Sequence, residues 1–377
     1  MAVYKIFPEK DSTIYSEFPS MNTGLDEIIE ASTFYNSISP EVSRYLIKFS
    51  QTEIEDIIDN KIGTANFQVN LRNYIANVTG INTDTTLEIF PVSGSWNMGT
   101  GRYSVKPQVK NGVSWTYRLS EDEGAWVTSS FSAYVTASYS GSNEGGGNWY
   151  TGSALGLDVN QSQVLSYAND KDLNVDVTNT ILTWYSASNS LGGFANDGFL
   201  VKQSDSDEFR YDQNYVTTVK YFSIDTHTIY PPQLEFKFDD FVFNTGSSTN
   251  TIIDTSRMVA SLDNNGKTYR RDSVEKIRIN SRPQFPERVF QTASLYTTNF
   301  YLPTASFYAV KDLDTNEFVI DFDTTYTKIS ADSESSFFTL YMNGLEPERY
   351  YQILLKVNIG GETLVLDDKY YFKVING

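Results

Sequence analysis

Short strand-like runs recur along the chain, separated by Gly, Asn and Asp. The clearest are Glu27–Ala31, Arg44–Phe49, Asn66–Leu71, Thr86–Val92, Gly198–Gln203 and Val216–Ser223. Runs at this spacing, with turn residues between them, predict strands of a β-sandwich or barrel. Asn196-Asp197-Gly198 adds a tight-turn signal ahead of Phe199-Leu200-Val201. One segment departs from the pattern. In QTEIEDIIDNKIG, Ile54, Ile57, Ile58 and Ile62 fall at helical spacing. Thr52 with Glu55 reads as a capping box and Gly63 as the stop, so a short helix is expected over Glu53–Ile62.

Between Thr116 and Asn148 the periodicity fades into Ser, Thr, Gly and Tyr, ending in SYSGSNEGGGNW. A long surface insertion is expected at 116–148. Tyr230-Pro231-Pro232 marks the domain boundary, because two prolines end a strand and stiffen a linker. The expected domains are therefore 1–229 and 233–377. In the second, GLEPERYYQILLKVNIG places Leu345 and Pro347 before Tyr351, followed by strictly alternating Ile353, Leu355 and Val357. That order resembles the tyrosine corner of immunoglobulin-like and fibronectin-like sandwiches, where the hydroxyl ties back to the preceding crossover. TLVLDDKYYFKV would pair beside it through Gly360-Gly361. The fold class is all-β: an N-terminal jelly-roll-like sandwich followed by one or two immunoglobulin-like or fibronectin-like modules.

Composition supports this reading. The 377 residues are 40% hydrophobic and 15% aromatic, with 26 Tyr and 24 Phe, enough apolar surface for a large β-rich core. With 29 Lys and Arg against 47 Asp and Glu, the net charge is −18. Such a surface repels phosphate backbones and anionic membranes, so nucleic acid and membrane are not expected partners. Cysteine is absent, which removes disulfides, thiol nucleophiles and zinc–thiolate sites. MAVYKIFPEKDSTIYSEF lacks a basic segment followed by an apolar run, so no secretory signal is expected. No apolar stretch is long enough to span a bilayer as a helix.

From Asp11–Tyr15 and Arg44–Phe49 through Trp96 and Trp115 to Asn196–Lys202, ordered motifs in the first 225 residues resemble DNRLRE-type domains, a family related to carbohydrate-binding modules. Asp11-Ser12-Thr13-Ile14-Tyr15 matches its opening strand, Met21-Asn22-Thr23-Gly24 the following N-x-G turn, and Arg44-Tyr45-Leu46-Ile47-Lys48-Phe49 its R-x-L-I-K-F strand. Ala65-Asn66-Phe67-Gln68-Val69 follows the short helix. Trp96 and Trp115 match paired tryptophans, Asp176-Val177-Thr178 with Trp184 a D-V-T…W motif, and Asn196–Lys202 the closing N-x-G-F-x-x-K strand. The resemblance implies a jelly-roll-like sandwich without a catalytic constellation, found in bacterial surface proteins and phage virions. The second half, around YLPTASFYAVKDLDTNEFVIDFDTTYTKIS and GLEPERYY, has the style of tailed-phage structural proteins.

Candidate chemistry is sparse. His227 is the sole histidine, and no G-x-S-x-G elbow, H-E-x-x-H or Walker A sequence accompanies it. Acidic groups such as Asp205-Ser206-Asp207-Glu208, Asp239-Asp240 and Asp321 with Asp323 read as surface turns. Asp170, Asp172, Asn174 and Asp176 alternate in a way that could suit Ca²⁺ but fits one solvated strand face better. No cofactor is expected. Trp96, Trp115, Trp184 and Tyr351 read as structural clasps. Trp126, Trp149 and Tyr150, on or beside the insertion, are the expected ligand or partner contacts. The leading expectation is a non-enzymatic, multi-copy structural component of a tailed-phage virion, made in the host cytoplasm and contacting other virion proteins. The alternative is a carbohydrate-binding or adhesion module for a host surface glycan.

Overall fold

The computed structural model describes residues 2–35, 40–81, 84–121, 123–126, 135–137, 145–210, 216–246, 251–263, 266–285 and 299–376, with backbone alone at 135–137. The chain is 49% strand and 9% helix, an all-β sandwich-type protein. It divides into two compact units. The N-terminal unit comprises Ile6–Lys61 and Gln68–Glu235; the C-terminal unit comprises Phe236–Gly377 with Met1–Lys5 and Ile62–Phe67.

The N-terminal unit is built on β1 (Pro8–Tyr15), β2 (Ile28–Tyr35), β3 (Pro40–Phe49), β4 (Phe67–Asn73) and β5 (Ile75–Thr79). It continues with β6 (Thr85–Pro91), β7 (Gln161–Leu165), β8 (Leu173–Asp176), β9 (Phe199–Gln203) and β10 (Val216–Phe222). The main antiparallel sheet has the order β7-β6-β9-β3-β2-β10-β5, and β1 also pairs with β3. Strand β3 is the centre, buried on both faces. Its alternation sends Leu46 to one side and Tyr45 to the other, as period two requires. On one side Leu46, Ile14, Phe90 and Leu200 meet Trp96, Trp115, Trp126 and Trp149 in a single apolar cluster. On the other, Phe49 and Trp184 pack around Phe199, and Tyr45 accepts a 2.8 Å hydrogen bond from Asn73 on β4.

The expected helix forms as α1 (Gln51–Ile57), continued by one π-helical turn over Ile58–Ile62. Its cap differs from the Thr52–Glu55 box: Ser50 is the N-cap and accepts from the Glu53 amide. Ser50 wins because the extended backbone needed at an N-cap falls where β3 ends. Gly63 follows with φ of +58°, where glycine is least strained. A second helix, α2 (Thr178–Ser188), occupies the D-V-T…W stretch. Its Ile181 and Trp184 are buried, three residues apart on one face.

In the C-terminal unit one sheet contains β11 (Met258–Asp263), β13 (Val274–Pro283), β16 (Ser330–Ala331) and β17 (Ser336–Tyr341), ordered β11-β13-β17-β16. The other contains β12 (Thr268–Arg270), β14 (Ser306–Asp312), β15 (Phe318–Ile320), β18 (Tyr350–Ile359) and β19 (Glu362–Ile375), ordered β12-β19-β18-β14-β15. Strand β12 runs parallel to β19; the other pairs in this sheet are antiparallel. The consecutive strands β11 and β12 thus belong to different sheets, as in a β-sandwich. Ile277, Ile279 and Phe338 from one sheet meet Tyr308, Ile353, Leu355 and Val357 from the other in one core, so the unit is a single sandwich. The Tyr351 hydroxyl donates to the Glu346 carbonyl at 3.0 Å, tying the start of β18 to the preceding crossover.

Candidate binding groove

The loop between Trp96 and Trp115 has few apolar residues of its own, and hydrogen bonds to Asn22 hold it in place. Asn22 Nδ2 donates to the carbonyls of Met98 (2.7 Å) and Val113 (2.8 Å), while its Oδ1 accepts from the Gly101 amide at 2.8 Å. Its own amide donates to the Val109 carbonyl, and Leu25 N–H donates to Gly101 O. Backbone approach is close enough to require glycine. A Cβ on Gly99 would sit 2.3 Å from Asn22 Oδ1, and one on Gly101 2.1 Å from Asn22 O. The N-x-G turn at Met21–Gly24 thus organises a loop some eighty residues away. At its ends Trp96 Nε1 donates to Asp197 O at 2.8 Å, and Lys10 lies 4.3 Å from the Trp96 ring centre.

That loop forms one wall of a groove of about 400 Å³ lined by Tyr15, Asp26, Glu27, Ile28, Glu30, Arg102, Tyr103, Ser104 and Lys220. Tyr15 ends β1, Ile28 and Glu30 lie on β2, and Lys220 faces Glu30 across the β2–β10 register. Asp26 accepts the Tyr103 amide at 3.1 and 3.2 Å through its two oxygens, seating the loop tip. The Tyr103 ring packs against Tyr15 (5.1 Å) and Phe18 (5.9 Å), yet it stays 47% exposed. Lys220 Nζ is 2.9 Å from Glu30 and Arg102 is 4.0 Å from Glu27. Burial raises the Asp26 carboxyl above its usual range, assisted by Glu30 and Glu27 and opposed by the Tyr103 amide and Arg102. Burial, with Glu30 and Asp26 adding negative charge, pushes the Tyr15 hydroxyl well up, so it stays a neutral donor.

The groove combines a half-exposed aromatic face with carboxylates, two cations and hydroxyls. Such a set can stack on a ring-shaped ligand and exchange hydrogen bonds with a polyol. Its signal in sequence was slight: Arg102-Tyr103-Ser104 sits in the stretch flagged for its tryptophans, but nothing local brings Asp26, Glu30 and Lys220 beside it.

The expected contact residues lie elsewhere. Trp126 and Trp149 are only 2% and 6% exposed and belong to the apolar cluster on β3, so they present no face to a ligand. The Trp126 indole N–H donates to Ser114 O at 3.0 Å. Tyr150 is half-buried and stacked on Phe194 at 4.1 Å. These three side chains pack inward because the described ends of the 116–148 segment cover the open face of the sheet. The remainder of that segment, 122, 127–134 and 138–144, lies outside the described residues.

Asp205–Glu208 is likewise not a solvated turn. It forms a short helix, α3 (Asp205–Glu208), and delivers Glu208 into the interior. There Glu208 accepts from Arg44 Nε (2.9 Å) and Arg44 Nη2 (2.5 Å). Arg44 Nη1 donates to Gly146 O at 2.8 Å, and its guanidinium lies 5.0 Å from the Trp115 ring and 5.4 Å from that of Trp149. Lys202, also buried, reaches Asp205 (2.6 Å), Glu88 (3.1 Å) and Glu208 (3.7 Å).

Of the alternating acids, Asn174 and Asp176 share the exposed face of β8, while Asp170 and Asp172 precede it. Asp172 Oδ1 accepts from the Ile75 amide, Asp170 from Asp172 N–H, and Asp176 from Thr178 at the start of α2. Among the described residues no group of three His, Cys, Asp or Glu could hold a metal ion, and no helix is long and apolar enough to cross a membrane. The His227 side chain is 88% exposed, with Nε2 at 3.6 Å from Glu27.

Fold and groove together define a two-unit, all-β sandwich protein with a polar, tyrosine-walled groove in its N-terminal unit. No family model matches the chain, and no curated protein matches it. Among solved structures, a DUF4785 family protein from Legionella pneumophila aligns with 10% identity and a TM-score of 0.18. The alignment covers 98% of this chain and 66% of that one, just under two thirds of its length.

Proposed function

We propose that the protein is a non-enzymatic recognition protein whose N-terminal unit binds a glycan in the Tyr103 groove. One observation carries this reading: a half-exposed tyrosine ring held over a cleft whose other walls are carboxylates, a lysine, an arginine and hydroxyls. Flat aromatic faces pack on sugar C–H faces, while carboxylate oxygens accept from sugar hydroxyls. Screening the intact chain on a glycan array, with Tyr103→Ala alongside, tests it. Binding to defined oligosaccharides that is lost in the variant is expected; no glycan bound by the wild type would overturn it.

The role as a structural component of a tailed-phage virion is compatible with this one, the groove then contacting the host surface. It draws on the immunoglobulin-like C-terminal unit, a module whose tyrosine corner serves structure and not chemistry. Mass spectrometry of purified particles should find the chain in stoichiometric amounts. Its absence from particles would leave glycan recognition without the virion.

A further inference from the structure

We infer that the groove selects glycans without negative charge and prefers those carrying free amines, a specificity that rests on the glycan-binding reading above. The lining holds three carboxylates, Asp26, Glu27 and Glu30, against two cations, Arg102 and Lys220. Both cations are already engaged, Lys220 with Glu30 at 2.9 Å and Arg102 with Glu27 at 4.0 Å. An acidic sugar would have to draw one of them from its partner and would still face a surplus carboxylate. An ammonium group meets the opposite situation. Asp26 is bonded only to the Tyr103 amide among the groups that face the cleft, and each of its oxygens keeps lone-pair capacity. Burial is the main cause of the elevation of the Asp26 carboxyl, with Glu30 and Glu27 adding to it, and a bound cation would act against both. The chain's net charge of −18 adds a long-range field of the same sign.

Isothermal titration of the full chain at near-physiological salt with three matched tetrasaccharides tests this: a glucosamine oligomer, its N-acetylated counterpart and an oligouronate. The glucosamine oligomer should bind about tenfold more tightly than the acetylated one, the worth of one charge-assisted contact, and the oligouronate should not bind. Asp26→Asn keeps an acceptor for the Tyr103 amide; it should shrink the amine preference to about threefold or less. Tyr103→Ala should weaken both of the bound oligomers. Oligouronate binding as tight as the amine form would overturn the charge selectivity and leave the glycan reading intact. Amine binding indifferent to Tyr103→Ala would also overturn it, since attraction would then be diffuse. If none of the three binds, the amine preference falls, while the glycan array decides the glycan reading separately.

Discussion

The two units place their charges differently. In the N-terminal unit Arg44, Lys202 and Glu208 lie within the fold, each with partners. The C-terminal unit also buries Lys5 and Asp312, but Arg349, the partner of Asp312, and both members of the Asp332–Arg278 pair stay partly exposed. The difference follows from how each unit secures its loops. The C-terminal sandwich ties its last crossover down with a tyrosine corner. The N-terminal unit must hold long segments over an open sheet face, and buried polar groups reach across to do so. Arg44 links Glu208 to the Gly146 carbonyl, and Asn22 links the N-x-G turn to the groove loop. Buried ion pairs of this kind cost desolvation and add little net stability, but removing one partner is severe.

Trp115→Ala should have the largest effect on this contrast, a loss of about 3–5 kcal/mol in denaturant unfolding, because its ring fills the core beneath Arg44. A loss below about 1 kcal/mol would mean that the loops are dressing on the sheet rather than part of its core. Next comes Glu208→Gln, expected to cost about 3 kcal/mol by leaving Arg44 buried without its counter-charge. The parallel change Asp312→Asn should cost about half as much, since Arg349 can turn toward water. Equal losses would erase the distinction between interior and marginal pairs.

The units should also respond to pH with opposite signs. Burial raises the Asp11 carboxyl to about 8, against the pull of the Ile224 amide and with help from Asp225. Between the ordinary carboxylate range and about pH 8 the folded state therefore binds more protons than the unfolded one, so stability falls as pH rises. Asp11→Asn, which keeps an acceptor for the Ile224 amide, should flatten that fall by roughly 1–3 kcal/mol between about pH 5 and about pH 8. In the C-terminal unit burial works to raise Asp312 and Asp332. Hydrogen bonds from Arg349 to the first, and from Arg278 and Lys276 to the second, outweigh it and hold both below the usual range. Their contribution is present above the ordinary carboxylate range and is lost as pH falls through it. Amide hydrogen exchange resolved by unit would read both trends; protection moving in one direction in both units would refute the contrast. Smallest of all, Tyr103→Ala should shift unfolding by less than about 0.5 kcal/mol, because the ring is half in water. A larger loss would make Tyr103 a strut of the loop.

Much of the scaffold was legible along the chain. Strand-like runs between turn residues marked β3, β9 and β10, alternation marked β18, and the order Leu345-Pro347-Tyr351 marked the corner that Tyr351 and Glu346 form. Helix α1 was visible in its isoleucine spacing, although its cap lay two residues earlier. Trp126 and Trp149 misled because residue type does not say which surface lies beneath: an indole beside a Gly-rich segment can stack on a ligand or fill a sheet face. Glu208 misled for the opposite reason, since an acidic run reads as solvated until Arg44 and Lys202 arrive from other strands.

The sequence by itself determined the period-two strands, the glycine turns and the polarity of each unit, because these depend on neighbours a few positions apart. The stretch SWNMGTGRYSVKPQVKNGVSWTYR could be recognised as a loop closed by two tryptophans. That its middle, and not its ends, faces a cleft was decided only by the tertiary structure. Asn22, Asp26, Glu30 and Lys220 come from positions roughly seventy to one hundred and twenty residues away from Tyr103, and only sheet register and buried hydrogen bonds bring them to it.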